Sequence, residues 1–114
     1  ALYMERMRHL DTEHIYLVLT DTKNRFMKEI LISKGTVNSS LLSVREIFVE
    51  ALRYQAVNIL LLHNHPSGDS TPSREDIVIT SQILKASRLL NIPLLDHIII
   101  GDNTFTSLKE KGYL

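Results

Sequence analysis

Two histidines and an aspartate stand at a spacing that suits metal binding. His63 and His65 lie two positions apart, directly after an apolar run, and Asp76 follows eleven residues after His65. Side chains two apart on a β-strand project from the same face, so both imidazoles could contact one ion. Pro66 keeps His65 extended. We expect Asp76, in the first turn of a following helix, to fold back onto the histidines and complete a three-residue site.

Such a site would be a zinc site. The chain has no cysteine, which excludes a disulfide scaffold, a Cys-ligated metal and a thiol nucleophile. Two imidazoles and one carboxylate leave the fourth position of zinc to water, an arrangement typical of catalytic sites, and such a water has a pKa of about 7. The sequence therefore predicts one zinc ion per chain and a hydrolytic reaction. The alternative is a pair of loop histidines that bind nothing.

A hydrolytic zinc site also needs a base that accepts the proton of the water. The candidates are Glu13, Glu46, Glu50, Glu75 and Asp69. Glu13 begins an apolar run, where a carboxylate is unusual unless it lines a site, but it could equally be a solvated strand end. Glu46 follows Ser43 by three residues, as in a capping box, which favours helix capping over catalysis.

Two further residues near the pattern allow more than one role. Ser73 could be the N-cap of its helix with Asp76 at position N3, its hydroxyl could donate to an oxyanion, or both roles could hold together. His97 follows Asp96 in a predicted strand. We expect His97 to make a structural hydrogen bond or to support a metal ligand, rather than to bind metal itself.

The rest of the chain supplies the elements that must position these residues. Apolar and β-branched runs predict five strands, over residues 13–20, 26–32, 57–62, 94–100 and 104–107. Helical spacing predicts a short start over 2–10 and two main helices, over about 44–52 and from Ser73 to about Leu90. The order β-β-α-β-α-β-β predicts an α/β fold: one mixed central sheet with hairpins at both ends and two helices packed on it.

Composition limits the classes of function. A chain of 114 residues with 44% hydrophobic and 23% charged residues is typical of a single soluble domain. Thirteen basic residues balance thirteen acidic ones, so nothing attracts the whole chain to a nucleic-acid backbone, although a local patch could still bind one. Since no apolar run could span a bilayer and no secretory signal is visible, we expect no membrane partner and a cytoplasmic location.

The site residues resemble the JAMM motif of the JAB/MPN metalloprotease family. That motif is a Glu, then His-x-His, seven residues, Ser, two residues and Asp, and the spacing of His63, His65, Ser73 and Asp76 matches it in full. The resemblance implies a JAB/MPN sandwich of the cytidine-deaminase-like type.

A longer string narrows the resemblance. Residues 63–68 read HNHPSG, Pro and Ser precede Asp76, and Asp-His stands at 96–97, which resembles the bacterial RadC-like branch over nearly the whole chain. The resemblance implies one domain over residues 1–114, the C-terminal part of a longer protein. One departure is Asn64, where many active members have Ser or Thr, and we expect it to tune the metal rather than abolish binding.

The resemblance also assigns roles. It implies zinc held by His63, His65 and Asp76, a water activated by Glu13 at the start of the first strand, and an oxyanion helped by Ser73. The implied activity is hydrolysis of peptide or isopeptide bonds in a protein or peptide substrate. Two alternatives remain: a module associated with DNA repair, acting as a metal-dependent nuclease or DNA-binding domain, and a non-catalytic interaction domain.

Overall fold

The computed structural model describes residues 2–8, 10–35 and 42–114, and they form an α/β fold with three helices. The helices are α1 (Leu2–Met7), α2 (Val44–Arg53) and α3 (Arg74–Leu90). The strands are β1 (Glu13–Thr20), β2 (Phe26–Gly35), β3 (Asn58–Asn64), β4 (Leu94–Ile100) and β5 (Phe105–Ser107). The predicted order of elements is confirmed. Strand β3 runs two residues further than predicted, so it carries His63.

All five strands form one mixed sheet in the order β2-β1-β3-β4-β5. Strands β3 and β4 are parallel and are joined through α3, whereas the other neighbours are antiparallel. The β1–β3 register pairs Ile15 with His63, and the β1–β2 register pairs Glu13 with Gly35. The start of β1 therefore lies beside the end of β3, where the two histidines leave the sheet.

The two faces of the sheet are covered differently. Helices α2 and α3 pack on one face through a core that includes Ile47 and Ile83 against Leu17 and Leu61. The short α1 packs on the opposite face, where Met7 is fully buried beside Val18 and Leu62. The sequence predicted a short helical start and two main helices; the structure adds that the start, α1, packs on the opposite face, so both faces of the sheet are covered. Within the described residues, every helix is too short or too polar to span a lipid bilayer.

Helix α3 is fixed at both ends by its own sequence. At its start Ser73 and Asp76 form a complete capping box: the Ser73 hydroxyl oxygen accepts from the Asp76 N–H at 3.0 Å, and Asp76 Oδ2 accepts from the Ser73 N–H at 2.9 Å. At its end Asn91 adopts the left-handed conformation, with φ of 56°. The predicted N-cap role of Ser73 is confirmed, and the box locks the Asp76 carboxylate toward the loop.

The loop between β3 and α3 is held against the β4–β5 turn. The carbonyl of Gly68 accepts from the Asp102 N–H at 2.8 Å, and the Ser70 and Thr106 hydroxyls lie 2.9 Å apart. A Cβ on Gly101 would lie 2.2 Å from the Gly68 carbonyl oxygen, so only glycine permits this approach. The loop that carries His65 is thereby anchored to the far edge of the sheet.

Candidate metal centre

Four side chains from three elements and a loop converge at the carboxyl end of β3. Glu13 is the first residue of β1, His63 lies in β3, His65 follows that strand, and Asp76 lies in the first turn of α3. One potential ligand atom from each of the four residues lies within 4.8 Å of the others. The structure thus brings together the two histidines and the aspartate that the sequence proposed as ligands, and adds Glu13 to them.

Glu13 is the one residue of the five base candidates that joins this group. Its Oε1 contacts Nε2 of His63 directly. Burial raises the pKa of the Glu13 carboxyl to about 7, and the negative charge of Asp76 adds to the effect while His65 opposes it. A carboxyl with that pKa changes its protonation near neutral pH, which suits a group that both accepts and returns a proton.

The other four base candidates lie outside this group, and Asp69 makes hydrogen bonds that stabilise its own loop. Glu46 lines a groove between β2 and α2, and its N–H donates to the Ser43 hydroxyl oxygen, so Ser43 caps α2 as predicted. Asp69 accepts from both the N–H and the hydroxyl of Thr71, which stabilises the loop after β3. Neither Glu50 nor Glu75 belongs to the group of four, as far as the described residues extend.

His63 is held neutral by its surroundings. Its side chain is 1% exposed, and burial, aided by the neighbouring His97, lowers the pKa of the imidazole to about 3. Its Nδ1 lies 3.4 Å from Asp76 Oδ1 but has no hydrogen-bond partner in the described part of the chain. A neutral imidazole keeps one lone pair available, which is the form that binds metals.

His65 and Asp76 face each other across a short gap. His65 Nδ1 donates to the Asp69 carbonyl at 3.0 Å, so its Nε2 turns toward Asp76 Oδ2 at 3.1 Å. The hydrogen bond with Asp76 raises the pKa of His65. Burial alone would raise the pKa of Asp76, but the hydrogen bonds with His65 and Ser73 outweigh it and lower that pKa. The space between His65 Nε2 and Asp76 Oδ2 therefore favours a cation, which in the metal-free protein is the proton that the two side chains share.

His97 supports this arrangement from behind. The ring of His97 stacks on that of His63, with centroids 5.6 Å apart. The Thr80 hydroxyl donates to the Asp76 carbonyl at 2.6 Å, so it accepts from His97 Nδ1 at 2.7 Å. His97 is outside the group of four, in agreement with the supporting role expected of it. Thr80 was missed from the sequence because it reads as an ordinary position of α3; its spacing of four from Asp76 was the only available signal.

The group fits a divalent cation on the chemistry of its donors. His63 offers a neutral imidazole whose buried Nδ1 has no partner among the described residues. His65 offers Nε2, because its Nδ1 already donates to the Asp69 carbonyl, and Asp76 offers a carboxylate. In known metal sites a histidine ligand commonly donates its other ring N–H to a carbonyl or carboxylate, as His65 does here, and that bond orients the ring. A cation could thus replace the proton that His65 and Asp76 share.

Comparisons with known proteins agree with the fold. A sequence model of the family described as RadC-like JAB domain matches residues 1–113. A UPF0758 protein of Desulforamulus reducens is 53% identical over 114 residues, which is 100% of this chain and 50% of that protein. Similar proteins from Halalkalibacterium halodurans and Bacillus cereus are 50% and 49% identical over 97% of this chain. They are matched over 48% and 49% of their own length, so the chain spans about half of the curated relatives it matches.

Proposed function

Because the chain belongs to the RadC-like JAB domain family, we propose that it is a zinc-dependent hydrolase of peptide or isopeptide bonds. The observation that carries the proposal is the contact of the Glu13 carboxylate with His63, inside a group that also holds His65 and Asp76. A carboxyl with a pKa of about 7 beside a metal-binding set is the pairing that hydrolysis by activated water requires.

His63, His65 and Asp76 would hold the metal. Two imidazoles and a carboxylate are a donor set that zinc uses in catalytic sites, with one position left open. When bound, zinc supplies a Lewis acid and brings the pKa of a coordinated water to about 7. The chain's part is to keep His63 neutral by burial and to keep Asp76 ionised through its bonds with Ser73 and His65.

Glu13 would carry the proton. Hydrolysis adds the hydroxyl of water to the carbonyl carbon and one proton to the leaving nitrogen. The Glu13 carboxylate accepts that proton from the water at one of its oxygens and then returns it to the amine as the C–N bond breaks. Its half-buried position restricts access of bulk solvent, and its raised pKa makes both transfers feasible near pH 7.

Ser73 would help to stabilise the developing negative charge on the substrate oxygen. Its oxygen already accepts from the Asp76 N–H, and a hydroxyl that accepts in this way still has its proton to donate. We propose that this proton is directed at the substrate carbonyl oxygen. The cap and the donor then act through different parts of one hydroxyl, so neither role excludes the other.

The first test is metal content and hydrolysis on the same preparation. Purified protein should bind about one zinc per chain, and the double variant His63→Ala, His65→Ala should bind none. The zinc-loaded protein should cleave members of a mixed pool of quenched fluorescent peptides, or of a second pool with isopeptide bonds at lysine side chains. Full zinc occupancy in the double variant would refute the site. Zinc binding without cleavage of either pool would refute the hydrolase and favour an interaction domain.

A further inference from the structure

Asn64 lies between the two histidines but serves the opposite face of the sheet. Successive side chains of a strand alternate, so Asn64 projects away from the face of His63 and toward that of Leu62. Its side chain is 1% exposed. A buried amide needs partners for both its oxygen and its nitrogen, because an unsatisfied polar group costs about 1–3 kcal/mol.

Both partners of Asn64 belong to the backbone around Glu13. Asn64 Oδ1 accepts from the His14 N–H at 2.5 Å, and Nδ2 donates to the Thr12 carbonyl at 3.0 Å. That carbonyl belongs to the peptide bond before Glu13, and that N–H belongs to the peptide bond after it. One side chain thus holds both peptide groups that flank the candidate acid/base.

The β1–β3 ladder cannot hold these groups itself. Its last pair at this end is Ile15 with His63. Continuing that register would set Pro66 opposite Thr12, and proline has no N–H to donate. The chain after Asn64 also turns to β4, since the His65 N–H donates to the Ile100 carbonyl at 2.9 Å. The Asn64 side-chain amide takes the place of the missing β1–β3 ladder bonds. On the opposite edge of β1, Glu13 pairs with the edge strand β2.

We infer that Asn64 is a positioning residue for Glu13, which sets the carboxylate against His63 by fixing the backbone on both sides of it. The inference rests on the proposed function only for the proton transfer assigned to Glu13. A Ser or Thr hydroxyl can also accept and donate, but it sits on a shorter side chain and would have to reach both peptide groups from one atom, whereas Asn64 reaches them with two separate atoms. Asn64 therefore fixes the backbone around Glu13 in a way that a Ser or Thr at position 64 would not reproduce.

Nuclear magnetic resonance on the labelled chain tests this inference. The measurements are the nuclear Overhauser contact between the Glu13 γ-protons and the His63 ring, and hydrogen exchange of the His14 amide. Asn64→Ala should lose the contact and speed the exchange by about tenfold or more, since the amide loses its acceptor. Contacts between Ile15 and His63 should persist, because the ladder itself is intact.

Asn58→Ala is the matched control. Asn58 lies at the other end of β3, and its amide donates to the Asp21 carbonyl and to Asn24 Oδ1 at the β1–β2 turn. This variant loses a similar pair of bonds without touching Glu13, so the contact with His63 should stay. If both variants weaken it equally, or if Asn64→Ala keeps it, the inference is wrong.

Two additions keep the test decisive. If Asn64→Ala does not fold, Asn64→Ser replaces it. Its hydroxyl oxygen lies on a shorter side chain, so the His14 amide should exchange faster and the Glu13 contact should weaken; retention of both would contradict the inference. Zinc binding of the unaltered protein is measured separately by chelator competition. If the unaltered protein binds no zinc, the proposed function is wrong. The nuclear Overhauser contact between Glu13 and His63, measured on metal-free protein, still decides the role of Asn64.

Discussion

The carboxylate of Glu13 meets Nε2 of His63 although fifty positions separate the two residues in the chain. The antiparallel β1–β3 register produces this contact by pairing Ile15 with His63, which leaves Glu13 two residues beyond the last pair. The candidate acid/base therefore comes from the central part of the sheet and not from the helix that carries Asp76.

Replacing Asp76 should weaken zinc binding. Asp76→Asn removes the charge that pairs with His65 and one expected ligand, so the zinc affinity should fall by at least about 100-fold, the upper range seen when only supporting partners are lost. Chelator competition measures the affinity. Glu75→Gln removes the same charge one residue away and should leave the affinity within about threefold, since exposed charges interact weakly through water. Equal losses in the two variants would contradict a ligand role.

Replacing Glu13 should separate activity from metal content. Glu13→Gln keeps the size of the side chain but cannot accept a proton, so cleavage of the fluorescent peptides should fall by about 10²- to 10⁴-fold. The zinc content should remain near that of the unaltered protein. Glu46→Gln is the control, because Glu46 lies at the groove between β2 and α2, and it should keep its activity. Loss in Glu46→Gln instead would reverse the assignment of the base.

Replacing Ser73 should reveal both functions of its hydroxyl. Ser73→Ala removes an N-cap and should lower the free energy of unfolding by about 1 kcal/mol. If the hydroxyl also donates to the substrate oxygen, the rate of peptide cleavage should fall by about 10²-fold or more. Ser43→Ala removes the equivalent cap of α2 and should show the stability loss alone. Similar rates in the two variants would leave Ser73 as a cap only.

His97 should make metal-free protein less stable in acid. Burial lowers the pKa of His97 to about 4, whereas an unfolded histidine titrates near 6.5. Below pH 6.5 the unfolded chain therefore binds a proton that the folded chain refuses, so stability falls until the pH reaches about 4. His97→Gln should reduce that slope by about 1.4 kcal/mol per pH unit. Urea unfolding at pH 6.5, 5.5 and 4.5 measures it, and an unchanged slope would contradict the burial of a neutral His97.

Gly101 should matter to the site from a distance. In Gly101→Ala the new Cβ would meet the Gly68 carbonyl oxygen at 2.2 Å, so the loop after β3 must move. We expect a loss of about 1–3 kcal/mol in stability and weaker zinc binding, because the loop carries His65 and the Asp69 carbonyl that orients it. Gly112→Ala strains a left-handed residue in open space and should leave the zinc affinity unchanged. Unaltered affinity in Gly101→Ala would show that the loop adapts.

Local patterns in the sequence were sufficient to predict most of the elements. Strands β1 and β4 begin and end where their apolar runs do, and the caps Ser43 and Ser73 start α2 and α3 as their side chains dictate. The mixed sheet follows from the order of these elements. The spacing of His63 and His65 likewise placed both imidazoles at one end of one strand, since strand geometry alone determines the direction of alternate side chains.

Relationships between distant residues required the folded chain. Residue types and spacing left several carboxylates as possible bases, and only the family resemblance pointed to Glu13. The β1–β3 register is what brings Glu13, and not Glu46, to His63. The same register leaves Thr12 without a ladder partner and gives the Asn64 amide its place. A local pattern encodes which elements form and which way their side chains point, whereas contacts across fifty residues depend on how strands pair. The motif was therefore readable from the sequence, and the residues that complete and hold it were decided by tertiary packing.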